Sequence, residues 1–384
     1  MNVSFSPGSM GATAVAGQHA EAVDREGRFP EEAMAALRQE GALSAMIPRA
    51  LGGQGEGIAQ LARRCHALGQ SCASAGMVYA MHQIQVACLV HHGQGSPWHV
   101  DLMRRVVHEQ LLLASVTSEV GVGGQIRKSL CAVVTDGNCV DLHKKSTAIS
   151  YGQEAAALLI TARRDPSADT ADQVLVVGTR SQYKLQQTGR WDAMGMRGTC
   201  SHPFELTLAC GTEQILPVAY ADIAEQTMQP VSHLVWSGLW CGIAADAIFR
   251  ARAFLRARAR GGEVPSAARA RLAEAVGLAQ MMEGRLATVL RAFDEMWEDG
   301  PQALSIENAA SVNALKVSIS DTALVVVNHA LMVCGIDGYK NNTPFSVGRH
   351  LRDLHSAPLM ISNERIREST GNMLLIQKPR LGAL

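Results

Sequence analysis

The chain has 384 residues, is 47% hydrophobic and only 18% charged, and has a formal net charge of zero. That length suits two or three domains at roughly 150 residues each, with enough apolar material for a large core and too much for a disordered chain. A balanced charge argues against a broad nucleic-acid footprint or a polybasic membrane surface. The cysteines at 65, 72, 88, 131, 139, 200, 210, 241 and 334 show no C-x-x-C spacing and sit mostly in apolar segments. Free thiols in a reducing compartment are expected rather than disulfides or zinc. Residues 1–20 lack the basic and long apolar parts of a signal peptide. The apolar run Ala323–Val333, broken by Asn328 and His329, is expected to be too short to span a bilayer. A cytoplasmic protein is the expectation.

In chain order, residues 17–112 read as helices. Pro30-Glu31-Glu32 opens one with proline and acids in the first turn, Met34 and Leu37 give it an apolar face, and Gly41 stops it. Gly52-Gly53 and Gly55 form a loop, after which Ile58, Leu61, Cys65 and Leu68 recur at helical spacing. A further apolar helix covers Ala75–Val90 and ends near His91-His92-Gly93. Between 113 and 225 the period changes. Leu113–Val116, Ala132–Thr135, Ala157–Ala162 and Val174–Val177 are short apolar runs bounded by turns, and Thr135-Asp136-Gly137-Asn138 is a hairpin signal. Strands without interleaved helices suggest a small antiparallel barrel or sandwich. From 226 onward helices return: Gly242–Arg260, Ala267–Trp297 and the very apolar Ser311–Val333. The fold class expected is α+β, with an N-terminal helical domain (1–112), a middle β domain (113–225) and a C-terminal four-helix bundle (226–384).

Several motifs stand at particular places in this order. Ser118-Glu119-Val120-Gly121-Val122-Gly123-Gly124 is a glycine-rich loop after the first strand; it lacks the G-x-G-x-x-G spacing of a dinucleotide fingerprint and opens no helix. Ala148-Ile149-Ser150 follows in the sheet, then Trp191-Asp192-Ala193-Met194-Gly195-Met196-Arg197-Gly198-Thr199. Later come Gly242 with Arg258 in the same helix, Gly335-Ile336-Asp337-Gly338-Tyr339, Arg352-Asp353, and Ile361-Ser362-Asn363-Glu364-Arg365-Ile366. Together these resemble the acyl-CoA dehydrogenase family over nearly the whole chain. The resemblance implies the helix–sheet–helix fold and a noncovalent FAD. Ser118, Gly123, Ile149, Ser150 and Asn363 would lie near the flavin. Arg258, Gly335 and Gly338 would approach the FAD of a neighbouring subunit, so a homodimer or homotetramer is implied. Arg252, Arg256 and Arg260 beside Arg258 read as a solvated helix face.

The departures from the family pattern concern proton transfer. The family's base, a Glu that takes the α-proton of an acyl thioester, falls here on Ile361. The alternative base position in some members falls on Ser232, followed by His233 in place of an Arg. Gly124 and Gln125 replace groups that hold acyl-CoA, and Ala148 replaces a Trp beside the flavin. The remaining candidates for proton transfer are His82, His355 and Glu364. Each has a plainer reading: His82 as a core residue, Glu364 as an acid favoured by a helix N-terminus, and His355 as part of a connecting link.

Three functions are compatible with this pattern. The first is an FAD-dependent oxidoreductase acting on an atypical acyl thioester, carried by CoA or an acyl carrier protein, with an electron-transfer partner. The second is a flavin monooxygenase of the same fold, supplied with electrons by a reductase. The third is a non-catalytic subunit that keeps only its FAD and oligomer contacts.

Overall fold

The computed structural model describes residues 11–262, 264–297 and 304–378; the start of the small, polar N-terminal stretch lies outside the described residues. An N-terminal helical layer contains α1 (Ala12–Glu26), α2 (Glu31–Gln39), α3 (Ile58–Ser71), α4 (Ala73–His92) and α5 (Pro97–Glu109). The expected spacing holds in α3, where Ile58, Leu61, Cys65 and Leu68 are all buried. In α4 burial extends around the helix, because α1, α3 and the C-terminal helices pack on several of its sides. Both α1 and α5 escape a reading based on long apolar runs. Their apolar faces are alanines and isolated Leu, Met and Val residues separated by charges.

The middle region is a sandwich of two sheets. One has the order β1 (Leu113–Val116), β4 (Ala157–Arg163), β5 (Gln173–Thr179); the other runs β2 (Val134–Asp136), β3 (Cys139–Ile149), β7 (His202–Gly211), β6 (Tyr183–Gln187). The hairpin at 135–138 forms as expected, with Asp136 facing Cys139 and Gly137 at φ +58°. The expectation of purely antiparallel pairing is corrected, because β1 pairs with β4 in parallel. The long stretch between them contains the whole β2–β3 hairpin, so β4 can return in the same direction as β1. Strands β3, β6 and β7 give no apolar run because only alternate residues are buried, as in β3.

The C-terminal bundle is built from α7 (Gln229–Ala259), α8 (Ser266–Trp297), α9 (Ile306–Cys334) and α12 (Asn363–Ile376). Before α7 lie α6 (Tyr220–Ile223) and one π-helical turn, Ala224–Met228; between α9 and α12 lie α10 (Ile336–Tyr339) and α11 (Gly348–Leu354). The run Ala323–Val333 belongs to a 29-residue helix, so its expected shortness is corrected. Three helical stretches, α4, Tyr220–Ala259 and α9, are long and apolar enough to cross a membrane. The first two are 94% buried inside the protein and the α9 stretch 44%. All nine cysteines are free, and Cys139 alone among them is exposed.

One loop ties the three layers together. The Met196 amide donates to the Asp353 carboxylate of α11 at 2.6 Å, the Arg197 guanidinium donates to the Asp24 carbonyl of α1 at 2.8 Å, and the Gly198 amide donates to the Ser74 hydroxyl of α4 at 3.2 Å. Arg352 pairs with the Asp24 carboxylate. Gly195 is required by close approach, since a Cβ there would sit 2.0 Å from the Arg352 carbonyl oxygen.

Burial raises the Asp353 carboxyl from 3.8 to about 6, although the Met196 amide opposes the shift. The folded chain therefore holds this proton more tightly than the unfolded chain. The resulting contribution to stability is complete below pH 3.8 and is lost as pH rises through about 6. Denaturant titrations of Asp353→Asn between pH 4 and 7 should show a smaller fall of stability across that window than the parent. An identical slope would contradict this reading of the buried carboxyl.

Candidate active site

The glycine loop that follows β1 is built from the inside by Glu119. Its carboxylate is buried and accepts from the Ser129 hydroxyl at 2.7 Å, the Leu130 amide at 3.1 Å and the Cys131 amide at 2.7 Å. It also pairs with the fully buried Lys144 ammonium at 3.2 Å. Burial lowers the Lys144 pKa, against the pull of Glu119. With its anchor fixed, the loop turns outward through Gly121, Gly123 and Gly124, all at positive φ. A Cβ at Gly123 would meet nothing within 4 Å, so the main chain there is open to a flat ligand.

The second wall is the end of β3. Its register against β7 shifts between Ser146 and Ile149, which is a β-bulge. The bulge frees the Ala148 main chain from the ladder, and Ser118 takes it. The Ala148 amide donates to the Ser118 hydroxyl at 3.1 Å, and that hydroxyl donates to the Ala148 carbonyl at 2.7 Å. Ser118, Ile149 and Ser150 are thereby brought to one edge. Ile149 is buried, and the Ser150 hydroxyl lies 2.7 Å from that of Ser201. Between loop and strand end is a hollow of about 260 Å³ that includes Ser118, Gly121, Gly124 and Thr147 in its lining.

The third wall is the start of α12. Arg365 donates to the carbonyls of Gly123 and Gly124, pinning the helix to the loop. Just before it, Ile361 has φ +53°, a left-handed conformation that a β-branched residue adopts only when its surroundings impose it. The constraint comes from α9. The Lys316 ammonium, fully buried, donates to the carbonyls of Ala357 at 3.0 Å and Ile361 at 2.8 Å and to the Asn363 side chain at 2.7 Å. Three N–H bonds meet three acceptors. Burial lowers the Lys316 pKa to about 7. Its Nζ also lies 5.6 Å from the centre of the Trp240 ring, within cation–π range. The Asn363 amide donates onward to the Ser320 hydroxyl and the Asp321 carboxylate, both at 2.9 Å, so this side chain is engaged in joining α12 to α9.

The three proton-transfer candidates do not converge. His82 is fully buried, accepts from the Leu113 amide at Nδ1 (3.0 Å) and donates from Nε2 to the Leu43 carbonyl (2.7 Å). Burial lowers its pKa to about 4. Both nitrogens are used by main chain, so its expected role as a base is corrected: it fastens α4 to β1 and to the turn at 43. His355 is exposed at the end of α11. Glu364 is 84% exposed, in the first turn of α12, and pairs with Arg367, which fits its plainer reading. Ser232 donates to the Met228 carbonyl, and His233 is fully buried with its pKa lowered to about 3 by burial and by nearby Lys316.

Arg258, Gly335 and Gly338 lie away from this cluster. Arg258 is exposed in the last turn of α7, against the Phe254 ring. Arg252, Arg256 and Arg260 are exposed too. Gly335 takes φ +57° where α9 ends, and a Cβ on Gly338 would sit 2.6 Å from that of Cys334. From Lys316 to Gly335 is 19 residues along α9, about 28 Å at helical rise.

Family models place residues 12–96 in the N-terminal domain and 230–360 in the C-terminal domain of acyl-CoA dehydrogenases. The chain belongs to the acyl-CoA dehydrogenase family. It is an acyl-CoA dehydrogenase-like flavoprotein oxidoreductase. The amino sugar nitrososynthase DnmZ of Streptomyces peucetius is 26% identical over 88% of this chain and 84% of its own. Cyclohex-1-ene-1-carbonyl-CoA dehydrogenase of Geobacter metallireducens is 25% identical over 92% of both chains. Among solved structures, FMN-bound TdsC from Paenibacillus sp. A11-2 superposes with a TM-score of 0.83 at 20% identity, covering 96% of this chain and 97% of its own. The glycine loop of this family member suits a flavin: the open main chain at Gly123 borders a hollow lined also by Ser118 and, from the end of β3, Thr147.

The residues a sequence reading misses here are Glu119 as an anchor, Arg365 and Lys316. Lys316 does carry a signal. It lies on the buried face of α9 with Val312, Ile319 and Ala323, where a lysine costs stability unless it is fully paired.

Replacing His82 with Asn should leave the Leu43 carbonyl or the Leu113 amide unpaired and cost about 1–3 kcal/mol of stability. Flavin content and the pH profile of turnover should stay those of the parent. A shifted pH profile in a variant of unchanged stability would return His82 to the chemistry.

Proposed function

We propose that this family member is a flavin-dependent monooxygenase, its flavin reduced by a partner reductase rather than by an acyl thioester. The observation that carries this reading is the absence of a disposable carboxylate where one is needed, among the described residues. Ile361 and Ser232 stand at both base positions. Glu119, in the lining of the hollow, is consumed by Lys144, Ser129 and the amides of 130 and 131, while Asp321 and Glu364 beside α12 are tied to Arg367, and Asp321 also accepts from Asn363. Proton abstraction from carbon by a positioned base contributes roughly 10²–10⁴-fold, and nothing here supplies it. When bound, the flavin would supply two-electron chemistry with dioxygen. One oxygen atom would pass to the substrate and the other leave as water, with two electrons from the reductase and two protons from solvent. The chain's part is to hold the ring edge at Ser118–Gly124 and Ala148–Ser150 and to close the opposite side with the apolar residues around Ile361. A nitrososynthase among the relatives and a dibenzothiophene monooxygenase among the fold neighbours support it.

The second reading is a dehydrogenase for an atypical acyl thioester on CoA or an acyl carrier protein. The Geobacter relative, equally similar, favours it. It needs a base, and His355 or a displaced Glu364 would have to serve.

For the cofactor we infer FAD, in a homodimer or homotetramer. Gly335 lies about 28 Å along α9 from Lys316, and Arg258 lies in the last turn of α7, so these residues are placed to serve a part of the cofactor other than the ring. A diphosphate arriving from a second subunit gives them a role. Arg258→Ala should lower flavin occupancy, through loss of a charge-assisted contact worth about 1.5–3 kcal/mol. Absorbance at the flavin maximum and chromatography of the released cofactor check this. FMN in the released fraction, or undiminished occupancy, would overturn the assignment.

The two functions separate on reduction. Under anaerobic conditions butyryl-, octanoyl- and cyclohexenecarbonyl-CoA should leave the flavin yellow, whereas NADH with a flavin reductase should bleach it. Bleaching by any of these thioesters in the parent protein would replace the monooxygenase reading with the dehydrogenase one.

A further inference from the structure

Between the glycine loop and α9 lies one short turn, residues 357–363, and a single buried cation holds it. We propose that Lys316 is the positioning residue of this active site, fixing Ile361 and the start of α12 against the glycine loop. This rests on the flavin site proposed above and extends it to a residue that touches neither ring nor substrate.

The mechanical chain is continuous. The Lys316 ammonium grips the carbonyls of Ala357 and Ile361 and the side chain of Asn363. Two residues beyond Asn363, Arg365 grips the carbonyls of Gly123 and Gly124. The nine residues from Ala357 to Arg365 thus bridge α9 and the glycine loop, held by Lys316 at one end and by Arg365 at the other. The turn is shaped by its own main-chain bonds, the Leu359 and Met360 amides donating to the Ser356 carbonyl and the Asn363 amide to the Pro358 carbonyl, and Lys316 ties it to α9. Leu359 is 76% exposed, and Ile361 sits in a conformation that isoleucine does not adopt unaided. Removing the grip should let Ile361 relax toward negative φ, which moves its side chain and lets water reach the site.

The placement of Lys316 also explains its burial. A lysine on the inner face of a bundle helix, next to the fully buried His233 and Trp240, is costly in a structure that needed only packing. A leucine or methionine would fill that space. What neither can supply is three directed donors to the turn that leads into α12.

The test uses full-length oligomer with its flavin. Lys316→Met keeps the volume and removes the donors; Ile361→Gly removes the strain and the side chain; the double variant completes a cycle. Hydrogen exchange should accelerate by about tenfold or more in peptides covering 355–366 of Lys316→Met, and remain unchanged in α7 and α8. With NADH and a flavin reductase, the share of electrons lost to hydrogen peroxide should rise severalfold in Lys316→Met. In the Ile361→Gly background the same substitution should add less than about twofold, because both act on one element. Should Lys316→Met not fold, Lys316→Gln retains two donors and should give the same local effect at smaller size. Exchange that is unchanged at 355–366, or raised throughout the bundle, would overturn the proposal. So would additive effects of the two substitutions on peroxide. Faster local exchange in a protein whose flavin is bleached by acyl thioesters would instead uphold Lys316 and sink the monooxygenase reading.

Discussion

The loop 191–200 is the constraint on which the rest of the molecule depends. Its main chain, with two residues at positive φ (Met196 and Cys200), turns tightly enough to reach α1, α4 and Asp353 at once. The sandwich and the helices on either side share one continuous core. This loop adds directed bonds from the sheets to α1, α4 and α11, and so helps to fix how β1 and β3 present their ends to α12. Asp353 is a buried carboxylate whose single amide partner lies 157 residues earlier in the chain.

From that junction the site follows by successive local devices. Glu119 and Lys144 compensate each other's burial and fix the root of the glycine loop. The β3 bulge releases one peptide from the ladder so that Ser118 can take it. Lys316 and Arg365 then carry the turn and α12 to the same place. Every polar group in this series is satisfied by protein, and none of them is a carboxylate free to move a proton. The family fold is retained, and on the proposed reading the base of a dehydrogenase is not. The monooxygenase reading grows out of that mismatch.

Much of this was legible in the sequence, and what was not has physical reasons. Long apolar helices, the hairpin at 135–138 and the order of helix and sheet follow from periodicity and turn chemistry. The family motifs point to the glycine loop, to Ile149 and Ser150 and to Ile361 as the expected site. The length of β3, and β7 altogether, escape such a reading because alternate residues face solvent, and α1 because alanine gives a weak apolar signal. His82 misled the reading: from the sequence it is an imidazole in an apolar helix, and only the structure shows that two main-chain groups, 39 and 31 residues away, consume both nitrogens. Lys316 was passed over for the opposite reason. Its partners are main-chain carbonyls and an amide, and a sequence does not reveal which carbonyls a lysine will meet.

The most direct test of the central claim is a crystal structure of the flavin-bound protein, read for the side chains around the reactive edge of the ring. The account predicts Ser118, Ile149 and Ser150 on one side and Ile361 on the other. No carboxylate oxygen should lie within about 3.2 Å of the place a substrate carbon or heteroatom would occupy. A structure in which Glu364 or another acid has swung into that position, with the 357–363 turn rearranged to bring it there, would contradict it.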